Sequence, residues 1–146
     1  MFINPYHMHL HIASNRLISE VQNEFNKVFP FLKLEFFNNK SFARSSFSAS
    51  QLIPRSRKIG DGQLTITDGN INIPGEMKVM ELEKLLKEQF GLAAQVFRKS
   101  GNLWLETTMT DSWTLEQQNK HGSEISTVKK KLLEPGDYDL TRDSDH

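Results

Sequence analysis

Three histidines alternate near the start of the chain, in His7-Met-His-Leu-His-Ile12, and neutral imidazole is the commonest side-chain ligand for zinc and its neighbours. On an extended strand successive side chains point to opposite faces, so His7, His9 and His11 share one face and Met8, Leu10 and Ile12 the other. Same-face neighbours stand ~6.6 Å apart, close enough for two imidazoles to share one zinc ion, whereas His7 and His11, ~13 Å apart, need a bend to do so. Further ligands would have to come from His121, His146 or scattered carboxylates, none at a metal spacing. A solvated polar strand face is therefore the favoured reading, and a metal site at His7, His9 and His11 the weaker one.

Other catalytic signatures are missing from the sequence. There is no P-loop, no Gly-rich dinucleotide turn, no His-Glu-x-x-His and no Gly-x-Ser-x-Gly. His9-Leu-His11 has histidine where the His-x-Thr pair of two-histidine phosphoesterases has threonine. Without cysteine there are no disulfides, thiolate metal sites or cysteine nucleophiles. The sequence leans away from an enzyme, and no cofactor is expected.

Two surfaces remain for binding. Arg98 and Lys99 on one strand and Trp104, Glu106 and Thr108 on the next, with Asp111 and Trp113 beyond, collect aromatics among polar residues. Exposed aromatics beside arginine are enriched where proteins meet. The competing structural reading has Trp104 and Trp113 covering a sheet edge or packing under the last helix. The second surface is a basic stretch, Phe36 to Gly60, with Lys40, Arg44, Arg55, Arg57 and Lys58, no acid, and Phe42 and Phe47. Cations interleaved with aromatics hold single-stranded nucleic acid, but the same charges also serve solubility. The net charge of zero gives no long-range pull on nucleic acid.

The elements that must position these groups follow from an internal repeat. Leu10 to Asn38 matches Ile71 to Lys99 without a gap, 61 residues apart: Leu10 and Ile12 fall on Ile71 and Ile73, Ile18, Val21 and Phe25 on Val79, Leu82 and Leu86, Phe29 on Phe90, Phe31 on Leu92, and Phe36 on Phe97. In the first copy Ser14 is the expected cap of a helix with apolar Leu17, Ile18, Val21, Phe25 and Val28, ended by Pro30. In the second, Val79, Leu82, Leu85 and Leu86 line one side of a helix stopped by Gly91. Asp68-Gly69 between "QLTIT" and "NINI", and Ser100-Gly101-Asn102 between "AAQVFRK" and "LWLETTM", read as hairpin turns. Thr114 and Gln117 form a capping box for a short last helix ending before Gly122.

The fold these elements imply is α+β and ferredoxin-like: two βαβ units forming one mainly antiparallel sheet, both helices on one face and the histidines on the other. One domain, residues 1–125, would comprise a βαβ unit over 7–38, a basic loop over 39–62 and a second unit with hairpins over 63–122. Residues 126–146 read as a charged flexible tail, acidic from Glu134 onward. At 146 residues the chain is long enough to bury one core without staples. No leader or membrane-spanning run is seen, so a cytoplasmic setting is expected.

The stretches "FPFLKLEFF" and "QVFRKSGNLWLETT" give the chain a resemblance to a family of short, uncharacterised bacterial proteins of the Bacteroidetes type. The likeness spans Phe29 to Phe37 and Met80 to Gly122 and implies a bacterial cytoplasmic protein, but no activity. The histidine strand belongs to no motif of that family. The function expected is a non-enzymatic protein-interaction or regulatory module, with Arg98, Lys99, Trp104, Glu106 and Trp113 contacting an unknown protein partner. The alternative is nucleic-acid binding by Arg44, Arg55, Arg57 and Lys58. A homodimer through an open sheet edge is a further option, and no membrane partner is expected.

Overall fold

The computed structural model describes residues 5–38, 51–61 and 66–132. Chain order is β1 (His7–Ile12), α1 (Ile18–Val28), β2 (Leu32–Phe37), β3 (Gly69–Pro74), α2 (Val79–Phe90), β4 (Ala93–Ser100), β5 (Leu103–Glu106), a single 3-10 turn at Thr108–Thr110, and α3 (Leu115–Leu132). Lys40, Arg44, Phe42, Phe47 and the acidic tail lie outside the described residues. No described helix is long and apolar enough to cross a membrane.

The protein is α+β, with three helices and two antiparallel sheets. One pairs β1 with β3; the other has the order β2-β4-β5. Each βαβ unit is thus divided between two sheets, where the sequence suggests one. Met8, Leu10 and Ile12 alternate with exposed histidines, and opposite them Ile71 and Ile73 alternate with exposed asparagines, so pairing β1 with β3 aligns two apolar stripes. The core joins these to Ile18, Val21, Phe25 and Phe29, to Leu32, Leu34 and Phe36, and to Val79, Leu82, Leu86, Leu92 and Val96. Full burial of each such side chain contributes about 1.5–3 kcal/mol.

Four local expectations are corrected. Ile66 to Asp68 form no strand and Gly69 already pairs with Ile12, so Asp68-Gly69 is not a hairpin turn; Asp68 Oδ1 instead accepts from the Ser14 N–H at 3.1 Å. Ser14 is not the cap of α1: Leu17 is, and Glu20 reaches back to its N–H at 3.0 Å. The last helix does not end before Gly122 but runs through it. A Cβ at Gly122 would stand 3.0 Å from both Phe31 Cβ and Arg98 Cγ, so glycine there admits close packing of the helix on β2 and β4. Finally, Phe36 is fully buried whereas Phe97 lies on the opposite sheet face, so these two are not equivalent. Two residues, Pro30 and Phe31, separate Phe29 from Leu32, but only Gly91 separates Phe90 from Leu92. The repeat slips by one there, and the true counterparts are Leu32 with Leu92, Leu34 with Ala94 and Phe36 with Val96.

With that slip the two halves share their backbone bonding. Ile18 and Ser19 donate to the Arg57 and Arg55 carbonyls; Val79 and Met80 donate to those of Trp113 and Asp111. Ile59 and Gly60 donate to Arg16 and Ser14; Leu115 and Glu116 donate to Met77 and Gly75. All four turns end with a side chain reaching back, from Glu20, Glu81, Asp61 and Gln117 to the N–H of Leu17, Lys78, Lys58 and Thr114. Only the fourth is reciprocal, the Gln117 N–H donating to Thr114 Oγ1 at 3.0 Å. The Arg55–Asp61 turn thus has the geometry of a helix start.

Candidate functional site

The hairpin that carries Trp104 forms as the sequence suggests. Ser100 pairs with Leu103 across Gly101-Asn102, and Gly101 holds φ 66° while Asn102 does not go positive, the pattern of a type II′ turn. Lys99 pairs with Trp104 and Phe97 with Glu106, which places these four on the sheet face turned away from the core. Arg98 projects from the other face.

On the outer face lies a groove of about 260 Å³ lined by Lys33, Glu35 and Phe37 of β2, Leu52, Gln95 and Phe97 of β4, and Trp104 and Glu106 of β5. Lys33 Nζ lies 5.0 Å from the centre of the Trp104 ring and 3.0 Å from Glu35 Oε2, so one ammonium is held between a carboxylate and an aromatic face. Gln22 Nε2 donates to Glu35 Oε1 at 2.8 Å. Gln95, directly across from Glu35, is buried and its Oε1 has no hydrogen-bond partner.

The groove opens beside an unpaired backbone edge. The Lys99 N–H donates to Phe31 on the β2 side, so alternation turns Arg98 and its partner Leu105 toward each other and leaves the Trp104 and Glu106 backbone groups facing outward from β5. Leu103 and Leu105 on this strand are 61% and 40% exposed. Among the described residues no further strand joins this edge.

Of the five residues suggested for protein contact, the structure gathers Lys99, Trp104 and Glu106 on one face. Arg98 is structural: its Nη1 donates to Gln118 Oε1 at 2.9 Å, its Nε is buried without a partner, and burial pulls its pKa down. Trp113 sits in the turn before α3, its ring edge-on to His121 at 5.4 Å and its carbonyl bonded to Val79. Lys33, Glu35, Phe37, Leu52, Gln95 and Phe97 were not singled out from the sequence. The Leu-Lys-Leu-Glu alternation of β2 does show that Lys33 and Glu35 share its non-core face.

The basic segment, where described, is clamped to α1. Arg55 and Arg57 accept from Ser19 and Ile18 through their carbonyls, Arg55 Nη2 donates to Asn23, and Arg57 pairs with Asp61 at 3.2 Å. The Lys58 N–H and the Arg57 guanidinium hold Asp61 below the usual carboxylate range. Arg44 lies outside the described residues. His7, His9 and His11 are all exposed; His7 and His9 meet edge-to-face at 5.1 Å, and His11 Nδ1 is bonded to Asn70 Oδ1. Among the described residues no three His, Asp or Glu side chains gather as metal ligands.

The chain matches no protein-family model, no curated protein and no solved structure.

Proposed function

We propose that the protein is a non-enzymatic protein-interaction module that takes an extended segment of a partner protein along β5. The observation that carries this reading is Trp104, on the wall of a mixed apolar and polar groove, beside backbone groups that a neighbouring strand can pair. A partner strand would bond to the outward backbone of Trp104 and Glu106. Its inward-leaning apolar side chain would contact Trp104, and a basic neighbour would meet exposed Glu106. The duplicated character and the ferredoxin-like layout enter only as helices laid against antiparallel strands, a frame that holds β5 at the rim.

Capture from a cell extract with the full chain and with Trp104→Ala, each with and without nuclease, tests the reading. A partner protein held by the native chain, resistant to nuclease and lost with Trp104→Ala, supports it. Retention only of nuclease-sensitive material would replace it with nucleic-acid binding through Arg55, Arg57 and Lys58, and self-association alone would replace it with a dimer through the β5 edge.

A further inference from the structure

The groove on the outer face of the three-stranded sheet has a floor and two walls. β4 is the middle strand, so its outward residues Gln95 and Phe97 form the floor, between Glu35 and Phe37 of β2 and Trp104 and Glu106 of β5. β5 pairs with β4 only as far as Phe97, so Gln95 is flanked by a strand on the β2 side alone.

The charges in this region answer one another. The Glu35 carboxylate receives the Lys33 ammonium on Oε2 at 3.0 Å and the Gln22 amide on Oε1 at 2.8 Å. Lys33 in turn faces the Trp104 ring at 5.0 Å. Gln95 is the exception: it is 7% exposed, and its Oε1 is buried without a hydrogen-bond partner. A buried acceptor left unpaired forfeits its solvation with nothing in return, and folded proteins leave few such groups. Around it the lining is apolar, from Leu52 and Phe37 across Phe97 to the Trp104 ring.

These surroundings call for a flat apolar body with one neutral donor at its tip. A cation would stand beside the Lys33 ammonium, whose carboxylate is already taken. A serine or threonine hydroxyl carries no ring to lie among the aromatic walls, and an indole holds its N–H on the side of the ring system. We infer that the groove takes a tyrosine side chain of the partner segment, its ring among Phe37, Phe97 and Trp104 and its O–H donating to Gln95 Oε1. The inference rests on the groove reading above and names the side chain that the groove selects. A strand paired to the outward backbone of β5 turns alternate side chains toward this face, and tyrosine brings a rigid aromatic area with a polar tip, the combination enriched where proteins meet. At about 260 Å³ the groove is smaller than the ~300–1,000 Å³ of sites for free drug-sized ligands, which suits one side chain. The terminal amide torsion of glutamine is soft, so Oε1 turns to the hydroxyl without a backbone change.

The test is NMR titration of the full-length protein with N-acetyl-tyrosine methylamide and with N-acetyl-phenylalanine methylamide, which differ by the one hydroxyl, up to about 10 mM, the range of a single weakly bound group. Saturating shifts of the Trp104 indole N–H and the Gln95 side-chain amide with the tyrosine compound, and at least about fivefold weaker binding of the phenylalanine compound, are expected. Gln95→Met keeps an unbranched chain without the oxygen acceptor and should bring the two affinities within about twofold of each other; Gln95→Leu serves if that variant does not fold. Equal affinity of the native protein for both compounds, a preference that survives Gln95→Met, or no shift at Trp104 and Gln95 with either compound overturns the proposal. Capture of a partner by the native chain and its loss with Trp104→Ala would uphold the groove reading in any of these cases, so the two failures are read separately.

Discussion

Leu10 stands directly across from Ile71, its own counterpart in the other half of the chain. Glu35 stands in the same way across from Gln95. Two antiparallel pairs, each centred on a residue and its equivalent, mean that one approximate twofold axis runs through both sheets, the geometry of an isologous contact formed within a single chain.

Trp104 and Arg98 should separate recognition from stability. Trp104 is half-buried on the groove wall, so Trp104→Ala should change unfolding free energy by no more than about 1 kcal/mol while abolishing partner capture. Arg98→Ala removes the bond to Gln118 and packing against Gly122, and should destabilise by about 1–3 kcal/mol. Urea unfolding of both variants beside the capture assay checks this.

Glu83 gives the folded protein a specific pH dependence. Its folded pKa of about 7 lies above its ordinary 4.5, so between these values the native state binds more protons than the unfolded chain, and stability falls as pH rises. The loss is at most about 3 kcal/mol. Denaturant unfolding from pH 4 to 8 should show this decline in the native protein and its absence in Glu83→Gln. A native curve parallel to that of the variant would remove the effect.

Thr114 should carry more capping energy than its equivalents. Only Thr114 both accepts the backbone N–H of Gln117 through its Oγ1 and donates its own N–H to the Gln117 side chain, so Thr114→Ala should cost about 1 kcal/mol. Leu17→Ala and Lys78→Ala keep their Glu20 and Glu81 bonds. Thermal melts of the three variants should show this ordering, with Leu17→Met as the control for what contacts the exposed Leu17 side chain makes.

The histidine face should remain a weak metal ligand. His7 and His9 are adjacent, but His11 is committed to Asn70 and no third acid or histidine joins them among the described residues. Untagged protein dialysed against zinc should retain less than about a tenth of an equivalent. Stoichiometric retention lost in His9→Ala would reverse that view.

Alternation made the exposure of His7, His9 and His11 and the shared face of Trp104 and Glu106 legible, because a strand obeys a period of two whatever its partners. The β4–β5 pairing was legible from its turn, but the partner of β1 was not: β1 and β3 are distant in sequence, and Asp68-Gly69 has turn chemistry that pairing with β1 overrides. Gly122 carried a helix-stop signal, and a packing demand from Phe31 and Arg98 outweighed it. The slip between Phe29 and Leu32 was hidden because Phe36 and Phe97 share a residue type without sharing a face. Glu83 sits on the polar side of α2 by periodicity, and only the shortness of β5 brings it against the edge of β4.

The first half keeps the helix-starting turn at Arg55–Asp61, and the second half extends the matching turn into α3. A symmetric frame would offer every surface twice. Among the described residues β5 is added to one half alone, as the third strand of its sheet, so a partner segment taken along that rim should bind with one-to-one stoichiometry despite the twofold architecture beneath it.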